Sequence, residues 1–241
     1  MTTNNPARHP VCRPEIATLL RRGHDALLAA MEDTPRVLQT GDNLIEMGEP
    51  HEFVHAIESG WFARTRTIVD GRRQTIVIFL PGELCGTKTI FLERQPDAIQ
   101  ALTPASTRRV HYKEVCALAA RELSVALLIS WQLAQDERHL HDWNVRLGRG
   151  SAEERIAALL LEFRNRLRQI GLASDQGYAF PMTQQQISDH VGLTTVHVNR
   201  VLRRFREQEM VSVQKGAVTF HDNLAALEAL ARPVQDILAT D

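Results

Sequence analysis

The segment from Thr183 to Arg206, TQQQISDHVGLTTVHVNRVLRRFR, constrains the fold of this chain more than any other stretch. Thr183 and Gln186 have the spacing of a capping box, which predicts that a helix starts there. Gly192 allows the positive φ of a sharp turn, and Thr194 is suited to cap a second helix. That helix would bury an apolar stripe at helical spacing, formed by Val198, Val201, Leu202 and Phe205. The pattern predicts two short helices joined by a tight turn.

The polar face of the second helix carries side chains that can hydrogen-bond to bases and phosphates. These are Thr195, His197, Asn199, Arg200, Arg203 and Arg206, and no acidic residue lies among them. Farther along, residues 210–213 and 217–220 flank a Gln-Lys-Gly turn, which predicts a small hairpin. Two helices followed by a hairpin are typical of a winged helix-turn-helix that binds double-stranded DNA. The alternative is an ordinary helical hairpin with a solvated basic face.

Composition limits the remaining possibilities. The net charge is −1, so affinity for nucleic acid must come from local charge such as Arg200, Arg203, Arg204 and Arg206. Cys12, Cys85 and Cys116 are odd in number and far apart, which favours a reducing compartment over a disulfide framework. The polar N-terminus does not resemble a signal peptide, and no stretch is long enough to span a bilayer. We therefore expect a soluble, cytoplasmic protein with no membrane partner.

Regularly spaced glycines mark the first half of the chain. Gly60, Gly71 and Gly82 are eleven residues apart and separate short apolar runs, which predicts a β-sandwich or jelly roll. Ser151 and Glu154 have capping-box spacing and predict a new helix after the glycines at 148 and 150. We expect an α+β chain with an N-terminal arm and helix (1–33), a β-roll (34–112), a dimerisation helix (113–147), a hinge (148–151), a winged helix-turn-helix domain (152–221) and a C-terminal tail helix (222–241).

Heptad spacing occurs along the long helix that is predicted between the two domains. One slot of the heptad contains Ala126, Leu133, Leu140 and Leu147, and the other contains Ile129, Asp136 and Trp143. One interpretation is a helix packed on its own β-roll. The other is a dimer interface formed by all seven residues, in which Asp136 or its neighbours help to fix the register.

This order of a β-roll, a long helix, a glycine hinge and a winged helix-turn-helix resembles the Crp/Fnr family of bacterial transcription regulators. The most specific matches are Gly41-Asp42, Ile57 to Gly60, Pro81 to Leu84 and Gly192 to Leu202. The resemblance implies a homodimer without enzymatic activity that binds a palindromic promoter site and contacts RNA polymerase. Each second helix would lie in a major groove, with half-sites about one helical turn apart.

The resemblance also places a possible effector pocket at Gly82, Glu83, Leu84 and His141. Family members that bind cyclic AMP follow Gly-Glu-Leu with an Arg-Ser pair, but this chain has Asp97 in that region, which would repel phosphate. Control by cyclic AMP is therefore not expected. Cys12 alone cannot hold an iron–sulfur cluster. A regulator of the same family that responds to a cyclic nucleotide or to haem remains the alternative. The candidate haem ligands are His51, His55, His111, His139 and His141. No cofactor is predicted.

On the second helix, Arg200 matches the family position that contacts guanine O6 and N7. The family glutamate four residues earlier accepts a hydrogen bond from cytosine, and here it is replaced by Val196. Valine can contact a thymine methyl but cannot accept a hydrogen bond, so a different base preference is expected. Backbone N–H groups at Thr183 and Gln184 can bind a phosphate. The expected DNA contacts are Thr183, Gln184, Thr194, Thr195, Val196, His197, Asn199, Arg200 and Arg203.

Two metalloenzyme interpretations are remote alternatives. His51-Glu-Phe-Val-His55 matches the HExxH signature of helical zinc proteases. Its alternating pattern predicts a strand instead, on which residues four apart would lie roughly 13 Å from each other, too far for one metal ion. A cupin-like site would require His55, Glu58 and His111 to converge inside the β-roll. Neither interpretation explains the helix-turn-helix.

Overall fold

The structure is a computed structural model that describes residues 13–231. It divides into two compact units, one extending to Arg138 and the other beginning at His139. Residues 1–12 of the expected N-terminal arm and 232–241 of the expected tail helix lie outside the described range. Within residues 13–231, no helix is both long enough and apolar enough to cross a membrane.

The first unit consists of helix α1 (Pro14–Ala29) and a β-roll. The strands of the roll are β1 (Arg36–Leu38), β2 (Asn43–Ile45), β3 (Phe53–Ser59), β4 (Phe62–Thr67), β5 (Arg73–Phe79), β6 (Leu84–Cys85), β7 (Ala98–Ala101) and β8 (Ala105–His111). They form two four-stranded sheets in the orders β1-β8-β3-β6 and β2-β7-β4-β5. A short 3-10 helix (Thr87–Ile90) follows β6. The strands occupy the region in which the regular turn spacing predicted a β-roll.

The β-roll has two apolar clusters, one on each face of a sheet, because successive side chains of a strand point to opposite faces. One cluster lies inside the roll and includes Phe62, Phe79 and Ile99. The other covers the outer face of a sheet and includes Leu20 of α1 and Val54 of β3. Burial of each large side chain contributes about 1.5–3 kcal/mol, so the outer cluster fixes α1 against the roll.

Two helices occupy the region where one dimerisation helix (113–147) was predicted. They are α2 (Tyr112–Arg121) and α3 (Leu123–Arg149), and that part of the prediction is wrong. The break is at Glu122, which has an extended backbone and whose carboxylate accepts a hydrogen bond from the Ser124 hydroxyl. Helix α1 packs closely against the chain next to this break. A Cβ atom at Gly23 of α1 would lie only 2.1 Å from the Ser124 carbonyl oxygen, so only glycine fits there.

The second unit contains the last turns of α3 and the remaining elements. These are α4 (Ala152–Gln169), β9 (Gly177–Ala179), α5 (Gln184–Val191), α6 (Thr195–Glu207), β10 (Val211–Gln214), β11 (Ala217–Phe220) and α7 (Leu224–Ala231). The strands form one sheet in the order β10-β11-β9. Helix α4 is central, because Ile156, Leu159, Leu160 and Phe163 are fully buried. Helix α7 corresponds to the first part of the predicted tail helix, and its Glu228 forms an ion pair with Arg164 of α4.

The predicted hinge (148–151) is shorter than expected. Helix α3 continues through Gly148 to Arg149, which leaves only Gly150 and Ser151 between α3 and α4. The predicted capping box is present: the Ser151 hydroxyl accepts from the Glu154 amide, and the Glu154 carboxylate accepts from the Ser151 amide. In addition, the compact second unit begins inside α3 at His139 rather than at the hinge.

Candidate nucleic-acid interface

Helix α5 begins as the sequence predicted. The Thr183 hydroxyl accepts a hydrogen bond from the Gln186 amide at 3.2 Å, and the Gln186 side chain accepts from the Thr183 amide at 2.8 Å. This reciprocal cap occupies the amides of Thr183 and Gln186, so the expected phosphate contact through the Thr183 amide is not available. The amide of Gln184 is not used by the cap and can meet an anion. Thr183 and Gln184 are both exposed at this end.

A tight turn joins α5 to α6. Gly192 ends α5 with φ +66° and donates its N–H to the Ser188 carbonyl at 3.0 Å. Thr194 then caps α6, since its hydroxyl accepts from the His197 amide at 3.2 Å. The positive φ and the two caps confirm the predicted helix-turn-helix geometry.

Helix α6 has one buried and one exposed face. Its buried stripe is the predicted one, Val198, Val201, Leu202 and Phe205. The opposite side presents Val196, Asn199, Arg200 and Arg203, which we call the recognition face. Val196 is 68% exposed although it is apolar. Thr194 and His197 are also exposed, and Thr195 is half-buried. An exposed valine one helical turn before Arg200 is suited to contact a base methyl group.

The three arginines nearest the middle of α6 have different partners. Among the described residues, Arg200 forms no hydrogen bond or ion pair, so its five donors face solvent. Arg203 forms an ion pair with Glu207 at 2.7 Å, and its hydrogen bond to that carboxylate raises the pKa of Arg203. Arg204 instead forms an ion pair with Glu153 of α4. Arg204 therefore connects two helices, a contact that no local sequence pattern indicates.

A hairpin next to the helix-turn-helix forms the wing. Gln214 pairs with Ala217, so the turn consists of Lys215 and Gly216, both with positive φ. This is the conformation that two-residue hairpins favour. Lys215 is exposed at the tip and is a candidate phosphate contact. The sequence pattern predicted the hairpin, but Lys215 is not among the predicted DNA contacts, although a lysine before glycine at the turn was a signal for it.

The structure corrects the dimer interface that was predicted from heptad spacing. Ile129 lies in the apolar cluster on the outer face of the roll. Asp136 accepts hydrogen bonds from Arg64 of β4 and from Gln132. Trp143 is buried, donates to Glu162 of α4 at 2.9 Å and packs edge-on against His190. Because these three side chains contact their own chain, they are not available to a second copy.

The other four predicted interface residues are less enclosed. Leu140 is exposed, whereas Ala126, Leu133 and Leu147 are half-buried. Leu133 also packs against the outer cluster of the roll. The interpretation in which the helix packs on its own roll therefore accounts for part of the heptad pattern.

The residues of the possible effector pocket have structural roles. Gly82 has φ +87°, and the Glu83 carboxylate accepts from the Leu80 amide at 3.1 Å, so both shape the turn before β6. Leu84 is buried in the outer cluster. His141 is exposed on α3 and belongs to the second unit. The geometry therefore does not bring these four residues together as a pocket within either unit.

The expectation that Asp97 presents a free negative charge is not met. Its carboxylate, only 4% exposed, is 2.6 Å from Lys88 Nζ and 2.7 Å from Arg66. The two cations outnumber the carboxylate, so simple repulsion of phosphate is not the reason that this region would fail to bind it. Asp97 instead forms ion pairs with both cations, so their charges are already partly neutralised within the protein.

A second ion pair lies deeper in the first unit. Arg64 of β4 and Asp136 of α3 are 3.2 Å apart and both are largely buried. The guanidinium also lies 4.9 Å from the centre of the Phe79 ring. Cys85 is buried nearby, and desolvation raises the pKa of its thiol to about 12. Such a thiol stays protonated near neutral pH and is a poor redox sensor.

The prediction that His51 and His55 are far apart is wrong. Their Nε2 atoms are 3.1 Å apart and their rings stack. Strand β3 begins only at Phe53, so His51 does not continue the extended path on which the estimate rested. The segment is not helical either, as the zinc-protease signature requires. In residues 13–231, no group of three or more His, Cys, Asp or Glu side chains is arranged to hold a metal ion.

The cupin-like alternative also lacks converging ligands. Glu58 forms an ion pair with Arg108, and His111 accepts from the Lys113 amide. His55 is buried, and its Nδ1 atom lies 3.3 Å from the Thr107 hydroxyl. The three residues are therefore used in separate contacts.

Burial of His55 predicts that acid destabilises the first unit. Desolvation, together with the charges of His51, Arg36 and Arg109, lowers the pKa of His55 to about 3. In the unfolded chain the pKa is about 6.5, so the stabilising contribution is complete above pH 6.5 and is lost as the pH falls towards 3. We expect this histidine to remove about 2 kcal/mol of the free energy of unfolding between pH 7 and pH 5.

Urea unfolding at the two pH values measures this loss, and His55→Asn should reduce it. His197→Asn is the control, because it removes a histidine whose side chain is exposed. An unfolding free energy of the wild type that is equal at pH 7 and pH 5 would contradict the prediction.

Known families match both halves of the chain. The cyclic nucleotide-binding domain matches residues 35–122, and the Crp-like helix-turn-helix domain matches residues 154–230. Together these matches cover the β-roll with α2, and the unit from α4 to α7.

Similar proteins are transcription regulators, a class of protein that is not enzymatic. The chain is 28% identical over 211 residues to the transcriptional activator protein FnrA of Stutzerimonas stutzeri, covering 83% of this chain and 82% of FnrA. It is 26% identical over 191 residues to the fumarate and nitrate reduction regulatory protein of Vibrio cholerae, covering 79% and 76%. The structure of FixK2 from Bradyrhizobium japonicum superposes with a TM-score of 0.75 at 28% identity, covering 82% of this chain and 96% of FixK2. With a cyclic nucleotide-binding fold and a Crp-like DNA-binding domain in this order, the chain belongs to the Crp/Fnr family of transcription regulators.

Proposed function

We propose that two copies of this chain form a homodimer that binds a palindromic promoter site, one recognition face in each half-site. The observation that carries the proposal is the recognition face itself, on which Arg200 is exposed and forms no ion pair with any described residue. A helix of this kind lies in the major groove, and two-fold symmetry of the protein requires two-fold symmetry of the site.

The dimer contact that we propose is the exposed side of α3. Leu123 and Val145 are 68% and 48% exposed, and Ala134 and His141 are exposed between them. These four residues follow one another at intervals of eleven, seven and four residues, which places them on one side of a helix. This side lies away from Ile129, Asp136 and Trp143. A stripe of exposed apolar side chains on a long helix favours pairing with another helix.

Sedimentation of the purified full chain, free and with a palindromic duplex, tests this arrangement. We expect a dimer in solution and two chains per duplex. A monomer that binds DNA with one chain per duplex would contradict the proposal.

Within each half-site, we propose that Arg200 donates to guanine O6 and N7, while Val196 contacts a thymine methyl. Arg203 and the exposed Lys215 would bind phosphates, as would the backbone N–H group of Gln184. Thr194, Thr195, His197 and Asn199 are further candidates for contacts at the edges of the recognition face.

Replacing Val196 with glutamate should change the base preference at one position. A carboxylate accepts a hydrogen bond from cytosine N4, and such contacts discriminate by about 1–3 kcal/mol. Competition among four duplexes that differ only at that base pair measures the preference. Val196→Ala is the control, because it removes the methyl contact without adding an acceptor. If Val196→Glu ranks the four duplexes as the wild type does, Val196 does not face that base.

We also propose that the regulator acts without cyclic AMP. The support is that Asp97 already neutralises Lys88 and Arg66, and that Arg64 is paired with Asp136. DNA affinity should therefore be the same with and without cyclic nucleotides, and cyclic AMP that raises it would contradict this. A visible absorption spectrum of the purified protein tests the alternative of haem. Contact with RNA polymerase and a cytoplasmic location are further parts of the proposal.

A further inference from the structure

We propose that Arg155 of α4 is a positioning residue that fixes the end of α3 to the turn of the helix-turn-helix. This inference rests on the proposed function, because its consequence for DNA binding is read from a two-fold site. The α3–α4 junction, Gly150 and Ser151, would then be a rigid connection instead of the mobile hinge that the two glycines suggested.

The guanidinium of Arg155 bridges two separate backbone positions. Its Nε atom donates to the Gly150 carbonyl at 3.0 Å, and one of its terminal nitrogens donates to the Val191 carbonyl at 3.2 Å. Gly150 directly follows α3, and Val191 is the last residue of α5. One half-buried side chain therefore connects the end of the long helix to the end of the first helix of the helix-turn-helix.

The chemistry of this position favours arginine. Carbonyl groups at the C-terminal end of a helix lack partners within the helix and carry partial negative charge. A planar guanidinium can donate in two directions at once, whereas the ammonium group of lysine is a compact point charge on a flexible chain. Lysine would therefore keep the charge without reproducing both hydrogen bonds.

Two further contacts from the last turns of α3 converge on the same end of α5. Trp143 packs against the ring of His190, with centroids 4.4 Å apart. Leu147 lies so close to Gly192 that a Cβ there would be 3.2 Å from its Cδ2 atom. The three consecutive residues His190, Val191 and Gly192 are thus each contacted by α3 or by Arg155. All of these contacts lie within the second unit, which begins at His139.

A rigid junction has a measurable consequence for DNA recognition. Inserting one base pair between the half-sites rotates one of them by about 35° relative to the other, since a helical turn is about 10–10.5 base pairs. If Arg155 fixes the direction of each recognition helix relative to α3, the dimer should tolerate such a change poorly. Loss of the two hydrogen bonds should make the protein less selective for spacing.

The first test compares duplexes whose half-site spacing is optimal, or longer or shorter by one base pair. Arg155→Gln should bind the optimal duplex roughly tenfold more weakly, because hydrogen bonds from a charged donor are lost. Its preference for the optimal spacing should fall at least about threefold relative to the wild type. The affinity and the spacing preference of Arg155→Lys should lie between those of the wild type and Arg155→Gln. The control, Arg168→Gln, removes the same charge from the same helix but breaks only an ion pair with exposed Asp175.

The second test needs neither a dimer nor DNA. Amide hydrogen exchange of the full chain should become faster in Arg155→Gln at residues 148–151 and at the end of α5, and should be unchanged in Arg168→Gln. Unchanged exchange at both places would overturn the inference, as would a spacing preference equal to that of Arg168→Gln. A wild type without any spacing preference would instead contradict the proposed dimeric function, and the exchange data would still decide the role of Arg155.

Discussion

Replacing Arg200 with alanine is expected to weaken binding to the specific site by about 1–3 kcal/mol, or roughly fivefold to 150-fold. The physical reason is that Arg200 is exposed on the recognition face and is not held by any described carboxylate, so its donors are available to a guanine. Discrimination at one base pair should decrease along with affinity. Titration of the four duplexes that differ at that position measures both effects.

Arg204→Ala is the matched control for this experiment. It removes the same charge from the same helix, but the guanidinium of Arg204 is engaged in an ion pair with Glu153 of α4. We expect the control to weaken specific and random DNA to a similar and smaller extent, as loss of diffuse positive charge does. Equal weakening of specific and random DNA by Arg200→Ala would show that Arg200 contacts a phosphate and does not read a base.

Replacing Asp136 with asparagine is expected to lower the free energy of unfolding by about 3–5 kcal/mol. The substitution keeps the shape of the side chain but leaves the buried guanidinium of Arg64 without a counter-ion. An uncompensated buried charge is expensive, and a domain is typically stable by only about 5–15 kcal/mol. Urea unfolding of the full chain, followed by a signal from the first unit, measures the loss.

Glu58→Gln provides the comparison, because Glu58 and Arg108 form an ion pair on the same β-roll that is more exposed. An exposed pair contributes about 0–1 kcal/mol, so this variant should unfold almost as the wild type does. The double replacement Arg64→Met with Asp136→Leu should recover much of the stability lost in Asp136→Asn, since both charges are then absent. Equal unfolding free energies for Asp136→Asn and Glu58→Gln would contradict the claim that Asp136 neutralises a buried charge on Arg64.

Local features of the fold were predictable because their causes lie within a few residues. The capping boxes at Thr183 and Ser151 and the turn at Gly192 each depend on neighbours in sequence, and the structure has them where the pattern indicated. The buried stripe of α6 followed from helical periodicity alone. This is why the DNA-binding half of the chain could be derived from its sequence in detail.

Features set by distant contacts were not predictable in the same way. Heptad spacing on α3 was consistent both with a helix packed on its own roll and with a dimer interface. Only the observed packing against the roll decides that Ile129 is internal. Arg64 and Asp136 pair across 72 positions in sequence, and no local pattern indicates this. The distance between His51 and His55 was predicted from the geometry of a strand, but that strand begins after His51. These differences depend on long-range contacts or on the exact residue at which a strand begins, neither of which a periodic pattern specifies.

Selection of bound sequences from a pool of random duplex DNA tests the central claim most directly. With the purified full chain at moderate salt, the account predicts enrichment of an inverted repeat with a guanine at one fixed position in each half-site. The half-site centres should be about one helical turn apart, and affinity for the repeat should decrease as salt is raised. Enrichment of no sequence, or of an asymmetric sequence bound by one chain, would contradict the account.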